Sequence, residues 1–186
     1  DFGHDVLPAM LAAGEKMMAY NFSGYWKDVG TIESLWEANM DLLDPKVPLE
    51  LNDNDWRIYA RTQALPPQYI AATANVQNSI ISEGCNVYGT VDFSVLSSDV
   101  YVAPDAVVRD SIIMPGARIE EGAVVQYAIV ATDSVVGAGS VVGERPENME
   151  NKDDWGVAVV GPGCRLAPES KVAPKEMIDA EEAAKK

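Results

Sequence analysis

Along the second half of the chain aliphatic residues recur about every sixth position, and each is followed four residues later by a small one. Ile81/Cys85, Val102/Ala106, Ile113/Ala117, Ile119/Ala123, Val130/Ser134, Val136/Ser140, Val160/Cys164 and Leu166/Ser170 all fit. A longer period overlies this one: Ser94-Val-Leu, Ser111-Ile-Ile and Ala128-Ile-Val sit seventeen residues apart. Three hexads less one residue make one coil of a triangular parallel β-helix. The aliphatic residues are expected to fill its axis and the small ones its corners, with Gly84, Gly116, Gly122, Gly139 and Gly163 freeing the turns. Hexapeptide helices of this kind are usually left-handed, an exception to the right-handed crossover rule. The polar segment Glu144 to Trp155 breaks the array and reads as a loop thrown out from one corner.

The first 43 residues keep a different rhythm. Asp5 is placed to cap a short helix running through Ala13, with Gly14 as its stop. Lys16 to Phe22 alternates as a strand would, and Gly24 to Gly30 reads as a turn. Thr31 then caps a second helix, with Glu33 in its first turn where the helix dipole favours an anion. Leu35, Trp36, Met40 and Leu43 give that helix one apolar face, and Asp44-Pro45 ends it. Residues 44–75 hold four of the eleven prolines and read as a linker. The β-helix is expected over 76–178, and the tail at 179–186, rich in Ala, Glu and Lys, as a frayed helix or disordered segment.

Composition narrows the possible partners. An apolar content of 47% is ample for a core. A formal charge of −15 argues against nucleic acid, whose phosphates need clustered Lys and Arg, and against an anionic membrane surface. No apolar run approaches the roughly 18 residues of a membrane-spanning helix. The start, DFGHDVLPAM, lacks the charged and apolar regions of a secretory signal, carries no initiator Met and begins in mid-motif, as expected of a fragment. The two cysteines, Cys85 and Cys164, fall in the small-residue slot and are expected to be buried and reduced, in a cytoplasmic protein. Many hexapeptide acyltransferases use a His between coils as general base, but the single His here, His4, precedes the array. The β-helix is therefore expected to serve assembly or regulation.

The candidate chemistry lies in Phe22 to Leu43, FSGYWKDVGTIESLWEANMDLL. An aromatic wall beside a carboxylate and a glycine-opened backbone suits a sugar phosphate and its metal. The plainer alternative is a turn over a core, with Trp26 and Trp36 as packing. DFGHDVLPAM followed by GYWKDVGTIESLWEANMDLL closely resembles the bacterial glucose-1-phosphate adenylyltransferases, the ADP-glucose pyrophosphorylases of the glycogen pathway, and WRIYARTQALPPQYI resembles that family's linker. The resemblance implies a mixed fold: the C-terminal edge of an α/β nucleotidyltransferase domain over residues 1–43, then a left-handed parallel β-helix of hexapeptide repeats. It also implies synthesis of ADP-glucose and pyrophosphate from ATP and glucose 1-phosphate with Mg²⁺. Asp28 would be the catalytic Mg²⁺ ligand, since a carboxylate oxygen suits that hard ion. Asp1, Phe2 and Trp26 would line the glucose pocket. Lys27 is expected to face solvent.

The family's glycine-rich nucleotide loop, its first metal-binding Asp and its sugar-phosphate Lys have no counterpart here; they would lie upstream of residue 1. The chain alone is therefore expected to be inactive. The family is typically tetrameric and answers to allosteric effectors. Arg57, Arg61, Arg109 and Arg118 are the candidates for a sugar-phosphate effector site. Two other readings stay open: a non-catalytic assembly or regulatory subunit of the same enzyme, and a hexapeptide acyltransferase, which the missing array His disfavours.

Overall fold

The computed structural model describes residues 1–49, 51, 53–59 and 64–185. Short strands wind into a three-walled parallel β-helix of about six turns. The first wall stacks Tyr69–Ile70, Asn86–Val87, Tyr101–Val102, Arg118–Ile119 and Val135–Val136. The second runs from Asn75–Gln77 to Lys171–Val172, and the third from Ile80–Ile81 to Met177–Ile178. The register reproduces the long period: Val95 pairs with Ile112, and Ile112 with Ile129. The first rung, Tyr69–Ile70, pairs with Asn86–Val87, so the helix begins inside the segment expected as linker. Further on, Val141 pairs with Lys171, thirty residues away. The extra length over one coil is the loop from Gly143 to Trp155, which leaves the array as expected.

The hexad rule decides burial. Val102, Ile113, Ile119, Val130, Val136 and Val160 have no exposed surface, and neither do their small partners Ala106, Ala117, Ala123, Ser134, Ser140 and Cys164. A triangle of short strands has an axis narrow enough for one aliphatic layer, and in these pairs the inward-facing slot at its corners is filled by nothing larger than Cys. Both cysteines are free and buried, and burial pushes each thiol above its usual range. The corners also strand backbone amides, which serine hydroxyls recover. Ser94 N–H donates to Ser79 Oγ at 3.1 Å, Ser111 N–H to Ser94 Oγ at 3.2 Å, and Ala128 N–H to Ser111 Oγ at 3.2 Å. Glycine is indispensable at Gly143, where φ is +74° and a Cβ would sit 2.0 Å from the Gln126 carbonyl oxygen.

The third wall differs from the other two, because both of its faces are apolar. Leu96, Ile113 and Val130 point to the axis, while Val95, Ile112 and Ile129 form a second buried cluster with Met40, Val157, Leu35, Trp36 and Leu43. These outward residues receive helix α2, Ile32–Asp41, after α1 at Leu7–Ala12. Thr31 caps α2 as expected: its Oγ1 accepts from Ser34 N–H at 3.1 Å, and Ser34 Oγ accepts from Thr31 N–H at 3.0 Å. The expected apolar face, Leu35, Trp36, Met40 and Leu43, is the face that docks.

Three expectations need correction. Asp5 makes no cap; Asp1 does, accepting from Gly3 and His4 N–H at the start of a π-helical turn, Phe2–Val6, that leads into α1. Lys16 to Phe22 is not a strand: alternation needs an edge to pair with, and none of the described strands pairs with this segment. The tail is not frayed within the described residues: Asp179 and Glu182 form a reciprocal cap for α3, Ala180–Ala183, and Ala183 is buried against the last coil. An open coil end exposes its apolar axis, and α3 covers it. No helix among the described residues is long and apolar enough to cross a membrane.

The two apolar faces separate two kinds of damage. Ile113→Ala, at the axis, should lower global stability by about 3 kcal/mol, read as an earlier urea midpoint. Ile112→Ala should instead loosen α2, with faster amide exchange in Ile32–Asp41 and smaller change in the coil amides.

Candidate functional site

From Tyr25 to Asp28 burial alternates from one residue to the next. Tyr25 and Lys27 turn towards α2 and are partly buried; Trp26 and Asp28 turn outwards, with Trp26 76% exposed. The inward pair meets one oxygen. Asp41 Oδ2 accepts from Tyr25 OH at 2.8 Å and from Lys27 Nζ at 3.0 Å, and Lys27 also pairs with Glu37 at 3.1 Å. Lys27 is therefore tethered to the helix and does not face solvent freely, contrary to expectation. Partial burial works to raise the Asp41 carboxyl, but the hydrogen bonds from Lys27 and Tyr25 outweigh it and hold it below the usual carboxylate range. Asp28 closes the turn, its Oδ1 accepting from Gly30 N–H at 3.1 Å.

Behind this turn α2 is fixed to a corner of the β-helix. Trp36 Nε1–H donates to the Asp110 carbonyl at 2.7 Å across 74 residues of sequence. Its ring meets Tyr127 at 5.7 Å and Trp155 at 6.5 Å, and Trp155 meets Tyr127 edge-on at 5.3 Å. Trp155 Nε1–H donates to the Glu144 carbonyl at 2.8 Å, which folds the inserted loop back onto the same corner. Burial raises the Asp110 carboxyl, a rise that Arg145 opposes and Asp92 and Glu147 reinforce.

The expected site residues are not all brought together. Asp28 and Trp26 share the outer face of the turn. Phe2 is 77% exposed, and the Asp1 carboxylate is engaged with the Gly3 and His4 amides. No hydrogen bond, ion pair or ring contact among the described residues joins residues 1–22 to this turn. Among the described residues there is also no cluster of three His, Cys, Asp or Glu side chains able to hold a metal by themselves. Asp28 offers one carboxylate, and its Oδ2 takes part in no hydrogen bond among the described residues. That donor set fits Mg²⁺, which commonly takes one or two carboxylates and completes its shell with water and substrate phosphate.

The described candidate arginines do not converge. Arg118 lies over the Tyr101 ring at 4.3 Å on the first wall and pairs with Glu120 at 3.3 Å, whereas Arg109 belongs to the second wall. Arg57 is exposed beside Asp53 and Tyr59, and Arg61 lies outside the described residues. The sequence reading missed Asp41 and Tyr25. Their only local trace is the i, i+4 pair Glu37 and Asp41 on α2; which basic residue that pair meets is set by the tertiary fold.

Residues 67–172 match the family described as GlmU-like, C-terminal hexapeptide, and residues 1–45 match the nucleotidyl transferase family. The chain belongs to the GlmU-like C-terminal hexapeptide family. It is 56% identical over 124 residues to glucose-1-phosphate adenylyltransferase of Bacillus thuringiensis (strain Al Hakam), and equally so to those of Bacillus cereus (strain Q1) and Bacillus anthracis. The matched stretch is 67% of this chain and 33% of each relative, so the match spans about a third of the length of these relatives. A nucleotidyl transferase match followed by a hexapeptide match is consistent with the C-terminal portion of such an enzyme.

The Asp41 clamp sets a pH response. A carboxyl held below its ordinary value of 3.8 contributes stability above that value and loses it as pH falls through the depressed one. The difference in thermal midpoint between wild type and Asp41→Asn should be constant between about pH 5 and pH 7 and should shrink only below about pH 3.8.

Proposed function

We propose that the whole protein joins ATP and glucose 1-phosphate into ADP-glucose and pyrophosphate, and that this chain supplies one side of the sugar-phosphate pocket together with the β-helix. The observation that carries this reading is the 56% identity to glucose-1-phosphate adenylyltransferases. The outward pair Trp26 and Asp28 supports it, because an aromatic face beside a carboxylate suits a sugar ring and a phosphate-bound cation. In the reaction a phosphate oxygen of glucose 1-phosphate attacks the α-phosphorus of ATP, and the bond from that phosphorus to pyrophosphate breaks. Asp28 would hold Mg²⁺, which when bound neutralises charge on the phosphate oxygens. Trp26 and Phe2 would pack beside the sugar. For Asp1 to accept from sugar hydroxyls, its carboxylate would have to share or release the Gly3 and His4 amides.

The exposed apolar residues Phe2, Leu7, Leu11, Met18, Tyr20 and Phe22 are the kind of surface a nucleotidyltransferase core would cover. The same reading places the protein in the cytoplasm and in glycogen biosynthesis, as a homo-oligomer, a tetramer by family habit, open to a sugar-phosphate effector.

The test is ADP-glucose formation by the whole protein and by this chain alone, with Mg²⁺ present. The whole protein should be active, and this chain alone inert. Asp28→Asn in the whole protein should lower kcat/KM by about a hundredfold or more. Turnover by the short chain would place the nucleotide site in residues assigned here to the linker or the coils. An inert whole protein would favour a non-catalytic regulatory subunit.

A further inference from the structure

We propose that Asp41 is a positioning residue for the proposed site: through Tyr25 and Lys27 it fixes the orientation in which Trp26 and Asp28 are presented. The inference rests on the adenylyltransferase reading and extends it to a side chain that touches neither substrate nor metal.

Burial alternates along residues 25–28, with Tyr25 and Lys27 partly buried and Trp26 and Asp28 exposed. Where side chains alternate in this way, holding every second residue on one side fixes the intervening residues on the other. Tyr25 and Lys27 are the held residues, and a single atom, Asp41 Oδ2, holds both, at 2.8 and 3.0 Å. Two donors on one oxygen set both the height of the segment above α2 and its rotation. Glu37, one helical turn earlier, pairs with the Lys27 ammonium at 3.1 Å and removes the freedom a single ion pair would leave. The reference frame is itself rigid, because α2 is bound to the β-helix by the Trp36–Asp110 hydrogen bond and by the outward face of the third wall. Asp28 thus hangs from a chain of defined contacts running from the coil to Asp41 to Lys27, and its own bond to Gly30 N–H is the last link.

A purely structural clamp and a positioning clamp differ in what they disturb. Loss of a structural clamp lowers stability and the amount of folded protein. Loss of a positioning clamp also releases the Asp28 turn, and with it the carboxylate offered to a cation.

The experiment has two arms. In this chain, backbone hydrogen exchange is followed at Gly30, Trp36 and the coil amides. Asp41→Asn and Lys27→Met should each speed exchange at Gly30 by about tenfold while Trp36 and coil amides keep wild-type rates. Lys27→Arg, which can still reach both carboxylates, should keep the slow rate. In the whole protein, Asp41→Asn should raise the Mg²⁺ concentration for half-maximal rate about fivefold, with a smaller change in kcat at saturating Mg²⁺. Unchanged exchange at Gly30, or equal acceleration at Gly30 and Trp36, overturns the proposal. A wild-type Mg²⁺ response in Asp41→Asn beside a damaged one in Asp28→Asn overturns it while leaving the adenylyltransferase reading intact. A whole protein without ADP-glucose synthesis, or with a Mg²⁺ response indifferent to Asp28→Asn, overturns both.

Discussion

The docking of α2 on the outward face of the third wall is the contact on which the rest depends. A hexapeptide β-helix is self-sufficient along its axis, and its outer walls need nothing. Here one wall carries a second apolar column, Val95, Ile112 and Ile129, which would face water if α2 were absent. Covering it removes apolar surface on both partners, and at roughly 25 cal/mol per Å² this offsets part of the cost of ordering the helix. Once α2 is fixed, the turn that carries Asp28 is fixed through it by the Tyr25 and Lys27 contacts to Asp41.

Apolar docking has no direction of its own, and the register of α2 comes from polar contacts at the corner. Phe93, Asp110 and Tyr127 stack at successive coils with φ of 43°, 47° and 48°. Aromatic residues rarely occupy this region, and Phe93 and Tyr127 each cost on the order of 1 kcal/mol or more, whereas Asp is tolerated there. The strained corner turns the Asp110 carbonyl outwards, where the Trp36 indole meets it, and sets the Tyr127 ring between Trp36 and Trp155. The corner that strains the coil thereby gives the helix one preferred seat, and the loop carrying Trp155 closes over the same place.

What could be read from the sequence follows from how local each constraint is. The hexad rule is local: whether Ile119 and Ala123 face the axis depends only on their place in the coil, so burial, the fate of Cys85 and Cys164 and the inserted loop were all legible. The α2 face was legible for the same reason. The start of the β-helix was set too late although Ile70/Ala74 already obeys the rule, because the prolines at Pro66 and Pro67 masked it. The alternation of Lys16 to Phe22 carried no information about a partner, and a strand needs one. Asp1 and Asp5 are both good caps by type, and choosing between them depends on where the helical turn starts. The Asp41 contacts were hidden because their donors lie 14 and 16 residues away, beyond any local pattern.

The clamp also constrains the electrostatics of the proposed reaction. Residues 1–43 contain only Lys16, Lys27 and His4 as basic side chains, within a chain of net charge −15. Lys27 is the one beside Asp28, and Asp41 and Glu37 occupy it. A triphosphate and a sugar phosphate brought to this turn would meet the Asp28 carboxylate with no nearby free cation from residues 25–41. If the turn takes part in adenylyl transfer, the positive charge has to come from the metal that Asp28 helps to hold and from residues outside this segment. Lys27 then acts on the chemistry through geometry, by keeping the carboxylate in place, and not through its charge.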